Sequence, residues 1–111
     1  MRTIASIIVL YLLLAGSTVR AEAGWTGDAR VIELVPTARH YYEIQLDVAR
    51  NPSGCREDGW FYLNYEARGS AQMFDLFVES LTSGLRLRVY VTGVCNLNGY
   101  SEISAVGARA K

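Results

Sequence analysis

His40 is the only histidine among the 111 residues. An imidazole acts as a general base only with a nucleophile or carboxylate set beside it. No motif here supplies that partner. Gly-x-Ser-x-Gly is absent, and so is a glycine loop that would cradle phosphates. Beside Tyr41 and ahead of an alternating segment, His40 reads as a surface residue at a strand edge. Paired carboxylates can divide acid and base work without histidine. Glu57-Asp58 is the only adjacent acidic pair. It lies in a loop bounded by glycine and cysteine, where solvated charge is the ordinary state. An enzyme would need this pair to meet another carboxylate, such as Glu102, in one cleft. Clustered loop oxygens also suit calcium, but no EF-hand spacing is present. The expectation is a non-enzymatic protein with no metal and no cofactor.

Binding chemistry is better supplied. Tyr41, Tyr90 and Tyr100 fall on outward strand positions or loop ends, and Trp25 and Trp60 near segment starts. Tyr and Trp combine apolar area with a polar handle, which suits recognition of sugars and proteins. They also simply favour strands. Arg86 and Arg88 share the outward side of an alternating segment. They could hold an anionic ligand through bidentate hydrogen bonds, or stand on a solvated sheet face.

The N-terminus sets where this chemistry would operate. Met1-Arg2 precedes an apolar run from Ile4 to Ala15, and Ala21-Glu22-Ala23 is a small-x-small site. That pattern is a secretory signal peptide. The run falls short of the roughly 20 apolar residues that a membrane span needs. Residues 1–23 are expected to be cleaved, leaving 24–111 as one exported domain, periplasmic or secreted, without stable membrane insertion. Removing Arg2, Arg20 and Glu22 takes the 11 basic and 11 acidic residues to 9 and 10. No basic excess remains for a nucleic-acid backbone, so nucleic acid is excluded as a partner. Two cysteines remain, Cys55 and Cys95. In an exported chain they are expected to form a disulfide.

Turn signals cut the mature chain into short elements. Trp25 to Val35, rich in Val and Ile, reads as a first strand bent at Gly27. In Tyr41 to Val48, Tyr42, Ile44, Leu46 and Val48 share one face, the mark of a half-buried strand. Asn51-Pro52-Ser53-Gly54 is a turn, and Trp60 to Tyr65 is a third strand. Ser70 reads as the N-cap of a helix whose stripe is Met73, Phe74, Phe77, Val78 and Leu81, with Gly84 at its end. Leu85 to Val91 alternates with Leu85, Leu87, Val89 and Val91 inward. Asn98-Gly99 is a hairpin turn into a fifth strand, Tyr100 to Val106. The expected fold is mainly β with one helix, a five-stranded OB-fold-like barrel in the order β-β-β-α-β-β; a two-layer α+β sheet with one helix on a face is the main competitor.

The mature start, Trp25-Thr26-Gly27-Asp28-Ala29-Arg30, resembles the subtilase cytotoxin B subunit family. So do Asn51-Pro52-x-Gly54-Cys55, Trp60-Phe61-Tyr62-Leu63, Ser83-Gly84, and Val89-Tyr90-Val91-Thr92-Gly93 before Cys95. The resemblance is to small exported bacterial proteins related to the B subunit of that AB5 toxin. It implies an OB-fold, export and a glycan-binding role, with a homo-oligomer left open. The family's acidic and serine contacts to sialic acid would fall, without gaps, on Val31 and Val35. Neither can supply a polar group, so that contact does not carry over. The residues taken as ligand-binding candidates are Trp25, Asp28, Arg30 and Tyr90, facing a glycan or a protein partner. The alternative is a periplasmic or secreted interaction or inhibitor protein without glycan affinity.

Overall fold

The computed structural model describes residues 22–110. The expected signal peptide lies outside the described residues as far as residue 21. The elements are β1 (Gly24–Trp25), β2 (Val31–Pro36), β3 (Tyr41–Leu46), β4 (Trp60–Asn64), α1 (Ser70–Ser83), β5 (Leu87–Cys95) and β6 (Ser101–Ala108). The described residues are mainly β with one helix, as the alternation predicts.

The strand count is corrected. The segment expected as one first strand is two, parted by a bend at Asp28. The order is therefore β-β-β-β-α-β-β. The strands form one six-stranded sheet, β1-β5-β6-β4-β3-β2, in place of the expected five-stranded barrel. The physical reason is a change of partner. Gly24 and Trp25 pair with Val91 and Tyr90 of β5, whereas Val31 to Pro36 pair with β3. Between them, Ala29 bridges Leu87 through backbone bonds of 2.7 and 2.8 Å in each direction. All strand pairs are antiparallel except β4 with β6, which run parallel across the helical connection.

Alternation decides the core. Ile44 and Leu46 of β3, Phe61 and Leu63 of β4, Leu87, Val89 and Val91 of β5 and Ile103 of β6 all point inward and are buried. Met73 and Phe77 of α1 close over them. The expected helical stripe is corrected at its far end. Val78 and Leu81 are 37% and 44% exposed, while Ser80 is buried. Positions 73, 77 and 80 lie on one face at helical spacing, and Val78 lies well off it. Phe74 reaches the core's edge by stacking on Tyr42 at 4.4 Å.

The helix start is also corrected. Gly69, in the left-handed region at φ 80°, is the N-cap. Ser70 is the first helical residue, and its hydroxyl donates to the Tyr65 carbonyl at 2.7 Å. The end agrees with the sequence: Gly84 at φ 79° donates its N–H to the Ser80 carbonyl. Cys55 and Cys95 form the expected disulfide. Beside it, the turn Asn51–Cys55 is fastened to β6 by Ser53 and Ser101, whose hydroxyls are 2.7 Å apart. Among the described residues, no helix is long and apolar enough to cross a membrane.

Candidate functional site

β1 is only two residues long, but its register fixes a side-chain cluster. Trp25 lies directly opposite Tyr90 on β5, and their rings meet edge to face at 5.4 Å. Two residues back along β5, Arg88 faces the same side. Its guanidinium carbon sits 4.3 Å from the centre of the Trp25 ring. That is a cation–π distance. The residue opposite Arg88 on β6 is Gly107. A side chain there would begin 3.5 Å from Arg88 Nε and 3.7 Å from the Trp25 ring. Those are ordinary van der Waals separations, so position 107 forms the floor beneath Arg88 and the Trp25 ring.

This cluster borders a groove of about 520 Å³ between the helix end and the ends of β5 and β6. Its charged lining is Asp28, Arg86, Arg88 and Arg109. Arg86 donates from Nη2 to the Asp28 carbonyl at 3.1 Å. Arg109 Nη2 lies 3.8 Å from Asp28 Oδ2. Both partners of that pair are exposed, so it contributes under about 1 kcal/mol. Three guanidiniums face one carboxylate, leaving the groove positive. The carbonyl end of α1, at Ser83 and Gly84, lines the same groove. Its partial negative charge favours arginines at this spot.

Of the four candidates from the sequence, Trp25 and Tyr90 are in contact, and Asp28 lines the adjoining groove. Arg30 stands apart. Its backbone N–H donates to Asp47 Oδ1 at 2.6 Å, and its Nε lies 3.6 Å from Asp47 Oδ2. It ties the start of β2 to the end of β3. Cys55 and Cys95 are at the other end of the β5–β6 hairpin, near the Ser101 register. Arg109 and Gly107 escaped the sequence reading. The signal that would have found them is the β6 alternation carried past Val106 to Ala108.

The residues weighed for catalysis are dispersed. Glu57 pairs with Arg56 at 3.6 Å. The Asp58 backbone carbonyl accepts from Asn51. His40 is exposed and adopts φ 74° in the turn between β2 and β3. Glu102 is held by Asn64 and Thr92 and lines a second groove with Glu66 and Arg68. Among the described residues, no three His, Cys, Asp or Glu side chains are grouped to hold a metal ion.

Comparison with protein-family models, with curated proteins and with solved structures finds no match to this chain. Its function has to be argued from the geometry.

Proposed function

We propose that this chain is an exported, non-enzymatic binding module that takes an anionic glycan in the arginine groove. The observation that carries the reading is the convergence of Arg86, Arg88 and Arg109 on one groove beside the Trp25–Tyr90 pair. Guanidiniums fork onto carboxylate or sulfate oxygens. The Trp25–Tyr90 pair at the rim, packed edge to face, offers a sugar apolar area and two polar handles. The disulfide suits an oxidising compartment, and the N-terminal pattern suits export.

The relation to the subtilase cytotoxin B subunit family belongs to the same proposal. In favour of an OB-fold-like barrel, β1 and β2 occupy the two edges of the sheet yet are successive pieces of one bent stretch. If they are counted as one strand, the connectivity becomes that of a five-stranded barrel. Val31 is buried and Val35 carries no polar group, so any acidic sugar would be held by the arginines.

The test is a glycan array probed with the oxidised mature protein in multivalent form. Carboxylated or sulfated glycans should bind, less at high salt, and an R86A/R88A variant should lose the signal. Absence of binding above background would overturn the glycan reading. The alternative, a periplasmic or secreted interaction protein without glycan affinity, draws on a different surface: the aromatic and acidic outer face of β3, β4 and β6.

A further inference from the structure

That outer face follows from the same alternation that builds the core. With Ile44, Phe61, Leu63 and Ile103 turned inward, their strand neighbours must face out. The register then aligns them across the sheet. Val35 lies opposite Glu43, Glu43 opposite Tyr62, and Tyr62 opposite Glu102. Directly opposed side chains start about 5 Å apart. Tyr62 therefore has a carboxylate on each side.

Tyr62 is only 8% exposed. Its ring is walled by Tyr41, edge-on at 5.8 Å. Its hydroxyl takes no part in the side-chain hydrogen bonds among the described residues. No fully buried side-chain polar atom is left without a partner there, so the largely buried Tyr62 hydroxyl is not sealed completely. Glu102 is held in place. Asn64 Nδ2 donates to one of its oxygens at 2.9 Å and Thr92 Oγ1 to the other at 2.8 Å. Each oxygen keeps a second lone pair for a ligand. In the next row, Glu33 faces Gln45 and Gln45 faces Trp60, which stacks on Tyr100 at 5.3 Å.

The charges around this face are mostly of one sign. Glu33, Glu43 and Glu102 come from β2, β3 and β6. Glu57 is matched by Arg56. Arg39, in the β2–β3 turn, lies 6.0 Å from the Tyr41 ring. Arg68 lines a groove with Glu66 and Glu102, but no arginine occupies the Glu43–Tyr62–Glu102 row itself. The field registers on the phenols. Burial and then Glu102 raise Tyr62 above the ordinary tyrosine value. Burial, then Glu43 and Glu57, raise Tyr100.

We propose that this face binds a basic segment of a partner protein, seating an arginine over Tyr62 between Glu43 and Glu102. The chemistry selects that occupant. Ionised carboxylates only accept hydrogen bonds, and a guanidinium only donates them. Its planar fork matches two carboxylates, and its N–H groups can donate to the Tyr62 hydroxyl between them. A neutral sugar would cover Glu43 and Glu102 without supplying the opposite charge, and burying such a charge unpaired is costly. The chain's own arginine groove, lined by Arg86, Arg88 and Arg109, lies elsewhere on the molecule. The face is separate from that groove. Glu102 is five residues from Gly107 on β6, about 17 Å of strand.

The experiment is an NMR titration of the oxidised mature protein with a capped tetra-arginine peptide. Parallel arms use a capped tetraglutamine peptide and maltotetraose. The arginine peptide should shift the resonances of Glu43, Tyr62 and Glu102 and leave those of Asp28 and Arg88 in place. E43Q should weaken it by about tenfold, the usual worth of one charge-assisted hydrogen bond. Y62F should weaken it less, and R86A/R88A should leave it unchanged, which keeps this outcome separate from the glycan reading. Shifts confined to the groove, equal binding by either neutral arm, or an E43Q variant that binds like the parent would each overturn the proposal. So would self-association that the peptide reverses, because the occupant would then be a second copy of the chain.

Discussion

The hydroxyl of Ser80 accepts a hydrogen bond from the backbone N–H of Val31 at 2.9 Å. The same hydroxyl donates to the Leu85 carbonyl at 2.6 Å. Ser80 is 1% exposed. One side chain therefore ties the helix to the first residue of β2 and to the turn leading into β5. It satisfies a backbone donor at the point where the first strand changes partner. Ser80→Ala leaves that buried N–H without a partner. The expected loss is about 1–3 kcal/mol, read as a lower urea midpoint at unchanged slope. A variant as stable as the parent would mean that water replaces the hydroxyl.

The disulfide closes a separation of 40 residues. In the chain-entropy model that contributes about 4 kcal/mol, through the unfolded state. The native ends are also held by other bonds, because Cys55 N–H donates to Ser53 Oγ, which contacts Ser101. A Cys55→Ala/Cys95→Ala variant should therefore keep its native spectrum around Ser53 and Ser101 while losing several kcal/mol in denaturant. Loss of the native spectrum in water would instead make the bridge a determinant of structure.

How far the sequence reached depends on how local each feature is. The inward faces of β3 and β5 were legible because Ile44 and Leu46, and Leu87, Val89 and Val91, repeat with period two. Gly84 was legible as a helix stop for its left-handed backbone. The split of the first strand was not, because Val and Ile continue on both sides of Asp28 while the partners change from β5 to β3. Ser70 carries the composition of an N-cap, yet its hydroxyl is taken by Tyr65 and Gly69 does the turning. Ser80 carries no local signal of its burial, because its two backbone partners come from β2 and the turn into β5. Arg86 and Arg88 were legible as an outward pair. Their groove was not, since it needs the Arg88–Gly107 register. The Glu43–Tyr62–Glu102 row needs parallel pairing between strands separated by a whole helix, which no local pattern encodes.

Two glycines separate strain from crowding. Gly84 and Gly99 both have positive φ, 79° and 83°. An added Cβ at Gly84 meets nothing within 4 Å, whereas at Gly99 it falls 2.9 Å from Arg56 Cβ. Gly84→Ala should cost about 1 kcal/mol from left-handed strain alone. Gly99→Ala should cost more, since Arg56 must also leave the Asn98 carbonyl that it contacts at 2.6 Å. Thermal melts of the two variants give the comparison. Equal losses would mean that the Arg56 side chain moves aside freely.

Arg88 on Trp25 makes a testable contribution of its own. A cation over an indole contributes about 0.5–1 kcal/mol where water has access. Arg88→Ala should lose about that amount in denaturant and change the fluorescence of Trp25. Arg88→Lys should recover only part of that loss, because a lysine head lacks the flat face that rests on the ring. If lysine matched arginine in full, the stacking geometry would carry no weight.

Tyr62 makes the stability of the fold sensitive to alkaline pH. Burial first, then the Glu102 carboxylate, hold its hydroxyl above the ordinary 10.0. Both causes oppose the phenolate in the folded state, and neither acts in the unfolded chain. The unfolded state therefore loses this proton first as pH rises. By linkage, the contribution to stability is complete below about pH 10 and is lost as pH rises from there through the folded value. Tyr100 acts in the same direction, through burial and then its acidic neighbours. Urea midpoints taken from about pH 9 upward should fall in the parent and fall less steeply in Tyr62→Phe. Glu102→Gln should lower the Tyr62 titration, followed by tyrosinate absorbance, without bringing it back to the ordinary value. Burial, the larger cause, remains in that variant. A full return to the ordinary value would make the carboxylate the governing cause, and an unchanged titration would remove it from the account.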